Sequence, residues 1–318
     1  MPEYAETPIP LGKTNLRISP MGLGTWAFGD RFTWGFGSTY TSRDVAEAFE
    51  ISTRAGINFI DTAEIYGMGN SERLLGPLLA SNPEPSVVAS KVFPYPWRLS
   101  GRSLRRALQG SLKRLGLEQL DLYQIHWPFP PVSIENWLEA LAQVMHEGLV
   151  TAAGVSNYNL SQMRRAQQTL AKYDLLLASN QVHFSLLHRE PEWNGLLQAC
   201  QDDGVTFIAY SPLAQGLLTG KYSIENPPPR MVARSRRMEL LKRLPPLLEL
   251  MREISAGHGG KTLPQIATNW VICKGAVPIP GAKSAKQALD NVGALGWRLS
   301  SEEVRSLDAM SERVCKGS

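Results

Sequence analysis

Short apolar runs alternate along this chain with longer stretches whose apolar positions recur every three or four residues. The runs have strand character and the stretches have helical character. Runs at 21–26, 58–63, 86–92, 120–127, 150–156, 178–183, 206–211 and 276–279 predict eight strands. Helical periodicity marks 43–55, 71–80, 101–115, 134–147, 161–170 and 191–202. Val45, Ala48, Phe49 and Ser52 share one face of the first of these, and Leu74, Leu75, Leu78 and Leu79 share one face of the second. Asn70 stands where the second helix needs an N-cap. Helices 239–256 and 262–273 precede the last strand, and helix 284–295 and a terminal helix from Ser300 follow it. Ahead of all these, the alternation over 14–19 after Leu11-Gly12-Lys13 predicts a β-hairpin.

Strands that alternate with helices form a parallel sheet covered by those helices. Eight such units in unbroken order favour a closed barrel over an open doubly wound sheet. The expected fold is α/β: a (β/α)8 TIM barrel with an N-terminal β-hairpin and an extra C-terminal helix, one domain over residues 1–318. Gly22-Leu23-Gly24-Thr25-Trp26-Ala27 spells the dinucleotide fingerprint G-x-G-x-x-A. That fingerprint requires a helix directly after it. Phe28, Phe32, Trp34, Phe36 and Gly37 follow instead, so the segment reads as the first barrel strand and a loop at the mouth. The connection 212–238 is unusually long, with Pro227-Pro228-Pro229 and then Arg230, Arg234, Arg236 and Arg237. It is either a solvated basic loop or a lid over an anionic ligand.

Composition narrows the function classes. Hydrophobic residues make up 43% and charged residues 19%, the balance of a globular chain with a large core. A net charge of +4 over 318 residues is too slight to indicate a nucleic-acid partner. Cys200, Cys273 and Cys315 are far apart and form no C-x-x-C pair, which argues against a disulfide framework or a zinc site. No metal is expected. The acidic start of the chain lacks a secretory pattern and no run is long enough to span a bilayer, so a cytoplasmic location is the expectation. The oligomeric state stays open, monomer or homo-oligomer.

The chemistry lies at the strand ends. In a closed parallel barrel the C-terminal ends meet around one mouth. Asp61, Lys91 and His126 close the second, third and fourth predicted strands, and Tyr66 follows Asp61 closely. Reducing a carbonyl takes a hydride on carbon and a proton on oxygen. Tyr66 is the candidate proton donor. A phenol titrates near 10, and the Lys91 ammonium, anchored by Asp61, is expected to lower that value. His126 would orient the carbonyl or relay a proton. Trp26, Phe32, Trp34, Phe93, Tyr95, Trp97 and Trp127 would wall the pocket. Of these, Trp26, Trp34, Phe93 and Trp127 join Tyr66 and His126 as expected substrate contacts. Arg98 is read as solvated, with an acidic substrate as the other reading.

These segments carry a family resemblance. Phe59-Ile60-Asp61-Thr62-Ala63-Glu64-Ile65-Tyr66-Gly67 and the following Asn70-Ser71-Glu72 resemble the signature of the aldo-keto reductase superfamily. So do Lys91, Leu122-Tyr123-Gln124-Ile125-His126 and Gly154-Val155-Ser156-Asn157-Tyr158, in the family's order. The resemblance implies an NADPH-dependent reductase of aldehydes or ketones with the tetrad Asp61, Tyr66, Lys91 and His126. Its small-molecule carbonyl substrate is unnamed; pyridoxal and small reactive aldehydes fit the analogy. Potassium-channel β subunits resemble the same family, so an NADP(H)-holding sensor is the alternative. A barrel aldolase using Lys91 as a Schiff-base nucleophile is a third and weaker reading.

The resemblance also implies where NADP(H) lies. Ser156, Asn157 and Gln181 would hold the carboxamide, and Tyr210 would stack under the ring. Ser211, Leu213, Gly216 and Leu218, with Lys221, would wrap the pyrophosphate, and Trp26 and Asp61 would border the cofactor. Ile279, Gly281, Lys283, Gln287 and Asn291 would meet the adenosine phosphate. Lys283 near a helix N-terminus suits a ribose 2′-phosphate.

Overall fold

The computed structural model describes residues 6–228 and 234–316. β1 (Ile9–Pro10) and β2 (Arg17–Ile18) pair antiparallel as the expected hairpin. Eight parallel strands follow: β3 (Leu23–Gly24), β4 (Phe59–Asp61), β5 (Val87–Val92), β6 (Leu120–Ile125), β7 (Val150–Ser156), β8 (Leu177–His183), β9 (Thr206–Tyr210) and β10 (Val277–Ile279). They pair in chain order with helices between them. This is the predicted barrel, with the terminal helix Ser301–Lys316 beyond it.

The barrel is closed by a thin seam. Gly22 N–H donates to Pro278 C=O at 2.9 Å and Gly24 N–H to Pro280 C=O at 3.1 Å. Pro278 and Pro280 have no N–H to return. The seam therefore has few return bonds and is completed by a lone parallel bridge between Gly24 and Gly281, and β3 is shorter than the predicted 21–26. The two strands also approach closely: a Cβ on Gly24 would lie 2.7 Å from the Ile279 carbonyl oxygen.

Strand period decides what fills the barrel. Phe59, Val87, Ala89, Leu122, Ala152 and Ile208 belong to one buried apolar cluster. Two residues further along their strands come Asp61, Lys91, Gln124 and Tyr210, which face the same way. One end of the barrel interior is therefore apolar and the other is polar. The hairpin seals the apolar end: Leu11 and Ile18 are fully buried in that cluster. The Gly12 N–H donates to Thr206 Oγ1 at 2.6 Å. Gly12 has φ 58°, and a Cβ there would sit 2.6 Å from the Ala178 carbonyl oxygen, so glycine is required.

Four expectations need correction. Asn70 is the first residue of helix Asn70–Ser81, not its cap; Gly69, at φ 83°, takes that place. The Asn70 side chain instead accepts from Arg73. The predicted helix 191–202 is two, Glu190–Trp193 and Leu196–Asp203, parted at Gly195 with φ 79°. The predicted helix 239–256 is also two, Arg234–Arg243 and Pro245–Gly257. Pro245 and Pro246 cannot donate into a continuing helix, which forces the break. The long connection is not all loop: it holds the 3-10 segment Ala214–Thr219 and ends inside the helix from Arg234. Its residues 229–233, Pro229 and Arg230 among them, lie outside the described residues, as does the start of the chain at 1–5. Among the described residues no helix is long and apolar enough to cross a membrane.

Leu11→Ala tests the seal. Removing a fully buried leucine costs about 2–5 kcal/mol. We expect that loss in urea denaturation, with ligand affinity at the opposite barrel end unchanged in the folded variant.

Candidate active site

The polar end of the barrel opens into a cavity of about 580 Å³. Its floor is an ion pair shut off from water. Lys91 is fully buried and Asp61 nearly so. Lys91 Nζ donates to Asp61 Oδ1 at 2.8 Å and Oδ2 at 2.7 Å, and to the Thr62 carbonyl at 2.9 Å. It also reaches the Tyr66 hydroxyl at 3.3 Å. An ammonium has donors only. The Tyr66 oxygen must accept here, which leaves the phenolic proton free to point into the cavity.

His126 lies edge-on to the Tyr66 ring, centroids 5.8 Å apart at 80°. The four expected catalytic residues are thus together. Lys91 lies beneath the others and does not line the cavity, whereas Asp61, Tyr66 and His126 do.

Their protonation departs from expectation at one point. Burial, then the Asp61 carboxylate and Tyr210, push the Tyr66 phenol well above its ordinary 10. Lys91 does not acidify it below that value. Burial outweighs the ammonium, and Tyr66 carries its proton throughout the neutral range. Burial also pulls the Lys91 amine down, with Asp61 opposing. Burial first and the Lys91 charge second hold His126 well below 6.5, so its imidazole is neutral.

The amides expected near the cofactor are braced by the protein. Gln181 Nε2 donates to Asp61 Oδ1 at 2.8 Å. Asn157, at φ 61°, donates from Nδ2 to the His126 carbonyl at 3.0 Å and accepts the Tyr210 hydroxyl on Oδ1 at 3.0 Å. Ser156 Oγ donates to the Gln181 carbonyl at 2.9 Å. Tyr210 is thereby fixed, and it stacks on His183 at 5.2 Å and 12°. Ser156, Asn157, Gln181 and Tyr210 all line the cavity.

Beyond Tyr210 the cavity runs along Ser211, Leu213, Gly216 and Lys221. Ser211, Ala214, Gln215 and Gly216 all take positive φ, so this loop turns sharply around the cleft. Leu218 is the exception among the expected contacts: the kinked 3-10 segment buries it completely in the core. On the facing side lie Ile279, Gly281, Lys283, Gln287 and Asn291. Asn291 Nδ2 donates to the Gly281 carbonyl at 3.2 Å, and Gln287 Oε1 accepts the Lys283 N–H at 2.8 Å. Lys283 Nζ sits 5.3 Å from the Trp34 ring and 5.1 Å from the Tyr40 ring. Burial first and the Lys221 charge second lower the Lys283 pKa, and an anion bound beside Lys283 would oppose that shift.

The aromatic wall is assembled only in part. Trp26, Trp34, Phe93 and Trp127 line the cavity. Trp26 packs edge-on to Trp34 at 5.3 Å and lies 6.3 Å from Tyr66. Phe32 and Trp97 are exposed and do not line it. Arg98 is neither solvated nor aimed at a substrate: Glu64 pairs with both of its terminal nitrogens. Sequence reasoning missed Ile65, His183, Thr219, Pro264 and Asp290, which also line the cavity. His183 had a signal, since it stands two residues after Gln181 on the same strand. Among the described residues no cluster of His, Cys, Asp and Glu is arranged to hold a metal.

A parallel barrel with this buried set at its mouth and a long cleft beside it is the plan of a barrel enzyme. The chain belongs to the aldo/keto reductase family, whose model matches residues 20–312, and it is an oxidoreductase of that family. It is 42% identical over 308 residues to a chloroplastic pyridoxal reductase of Arabidopsis thaliana, covering 92% of this chain and 83% of the relative. It is 31% identical over 336 residues to an NADH-specific methylglyoxal reductase of Escherichia coli, covering 96% and 98%. An aldo/keto reductase from Klebsiella pneumoniae solved with NADP and acetate superimposes with a TM-score of 0.74 at 27% identity, covering 98% of this chain and 96% of that one.

Two predictions test the electrostatics. Lys91→Met strands a buried carboxylate and costs about 3–5 kcal/mol of stability. Asp61→Leu added to it removes that charge and restores at least half of the loss in urea melts. Separately, His126 refuses a proton that the unfolded chain accepts near 6.5. Its contribution to stability is whole above that pH and shrinks below it, by up to about 1.4 kcal/mol per pH unit. Between pH 7.5 and 5.5 the unmodified protein should therefore lose about 1 kcal/mol more than His126→Gln does.

Proposed function

We propose that this chain reduces aldehydes or ketones to alcohols with NADPH, and that Tyr66 delivers the proton. The observation that carries this reading is the 3.3 Å contact from Lys91 Nζ to the Tyr66 hydroxyl, made from an ion pair that is almost wholly buried. It leaves the phenolic hydrogen as the free donor at the cavity floor.

The residues present fit a nicotinamide dinucleotide. Tyr210 offers a fixed flat ring in the cavity that Tyr66 also lines, and the positive-φ loop after β9 leads to Lys221, with Lys283 lining the same cavity. Such turns and cationic side chains suit phosphates. When bound, the nicotinamide supplies the hydride. The protein does the rest. Tyr66 and the neutral His126 hold the carbonyl oxygen between them, and Tyr66 O–H gives its proton to that oxygen as charge builds there. Lys91 stabilises the phenolate left behind, and Asp61 fixes Lys91. Asn157 and Gln181, which line the cavity, are the residues we assign to the carboxamide edge. Lys283 supports NADPH over NADH, and the Klebsiella pneumoniae complex with NADP agrees. The NADH-specific relative makes the preference worth measuring. Pyridoxal is the first substrate to try, after the Arabidopsis thaliana enzyme.

Tyr66→Phe is the decisive variant. Losing a positioned general acid lowers kcat by about 10²–10⁴-fold. Tryptophan fluorescence titration should show NADPH binding unchanged and tighter than NADH, because Trp26 and Trp34 line the cavity. Tight NADPH binding without turnover of any carbonyl by the unmodified protein would favour the sensor reading.

A further inference from the structure

The loop after β5 is held by a clamp that the reduction chemistry does not use. Glu64 lies between Asp61 and Tyr66 in sequence. Its Oε1 accepts the Phe93 N–H at 2.6 Å, and its Oε2 accepts Arg98 Nη2 at 2.9 Å. Arg98 Nη1 donates to Oε1 as well and to the Phe93 carbonyl at 2.7 Å. The two side chains are only 15% and 9% exposed. The pair thus grips Phe93 at both its N–H and its C=O.

Phe93 is a wall of the cavity, and its ring meets the His126 ring edge-on at 5.6 Å and 83°. Arg98 is spent twice, on Glu64 and over the Tyr95 ring at 5.1 Å. Tyr95 stacks on Trp97 at 4.6 Å and 10°. Trp97 and Leu99, on the same loop as Arg98, are 72% and 73% exposed. Among the described residues, the cations lining the cavity are Lys221 and Lys283, on the loops proposed for the phosphates. Asp61 and Lys91 cancel each other at the floor. An anionic group on a substrate therefore finds no free cation beside Tyr66.

We propose that Glu64 sets specificity: by neutralising Arg98 and fixing Phe93 it admits uncharged aromatic and apolar aldehydes and bars carbonyl compounds that carry a carboxylate or phosphate. This rests on the reductase reading and names the substrate class of that site. Glu64 touches no reacting atom; it is a positioning residue.

The test compares 4-methylbenzaldehyde with 4-formylbenzoate, which differ at the ring position opposite the aldehyde. The unmodified protein should favour the methyl compound in kcat/KM by about tenfold or more. Glu64→Gln keeps an acceptor for the Phe93 N–H and leaves Arg98 with its charge unpaired. It should move the ratio toward the carboxylate by about tenfold, as one unpaired charge near a protein surface does. Adding Arg98→Met to Glu64→Gln should restore the original preference. Arg98→Met alone leaves an unpaired carboxylate and should widen the preference, which serves if Glu64→Gln does not fold. Fluorescence binding of the two matching benzyl alcohols should follow the same order in every variant. Equal use of both aldehydes by the unmodified protein, or an equal slowing of both in Glu64→Gln, would overturn the charge filter. No turnover of either aldehyde, with the alcohols still ranked as stated, would instead remove the reductase reading and leave the filter standing.

Discussion

The mouth of this barrel depends on one salt bridge cut off from water. Moving two charges out of water costs several kcal/mol per ion, and mutual attraction offsets that only when the remaining donors and acceptors are met. Here they are met. Lys91 spends its hydrogens on Asp61, the Thr62 carbonyl and Tyr66. Asp61 takes a further hydrogen bond from Gln181 and a long one, 3.4 Å, from Gln124. Those partners come from β5, β6 and β8, so the pair ties several strand ends to one point. It also fixes the direction of the Tyr66 proton, because an ammonium cannot accept it.

The rest of the fold protects that pair. Strand period puts apolar residues below it and polar residues level with it, and the hairpin keeps water out from beneath. The thin seam between β3 and β10 has a counterpart at the cavity. Gly24, Ile279, Pro280 and Gly281 lie on both sides of the seam, and all of them line the cleft. The cavity extends along the side of the barrel where the sheet is least complete.

Much of this was legible in the sequence, and the reason is the alternation of short apolar runs with helical stretches. Asp61, Lys91 and His126 stand at or just past the ends of short apolar runs, and a closed parallel barrel brings such ends together. Local backbone events were not legible in the same way. Gly69, rather than the better-known capping residue Asn70, caps its helix because the preceding turn needs a left-handed residue. Leu218 turns into the core because Gln215 and Gly216 kink the segment before it. The Glu64–Arg98 pair joins residues far apart in sequence that no period relates. The direction of the Tyr66 shift needs a fact that sequence does not carry, the degree of burial, which decides whether a neighbouring ammonium or the loss of water prevails.

That direction changes how the proposed chemistry is to be understood. An acidified phenol would share its proton with solvent and leave a charge at the site before any substrate arrived. The site has no such charge. Asp61 and Lys91 balance, His126 is neutral, Tyr66 keeps its proton and Arg98 is bound by Glu64. The reacting end is neutral at rest, dry below and edged by aromatic rings. In such surroundings a negative charge appearing on a carbonyl oxygen meets donors already in place, with little water to rearrange. In the proposed reaction, proton transfer from Tyr66 would answer the new charge on the oxygen, and Lys91, 3.3 Å from the Tyr66 hydroxyl, would stabilise the phenolate left behind. The high pKa of the resting phenol is compatible with this, because the proton is needed only once that charge has formed. The same neutrality explains why Glu64 matters: an unpaired Arg98 beside Phe93 would put a permanent field where the site otherwise has none.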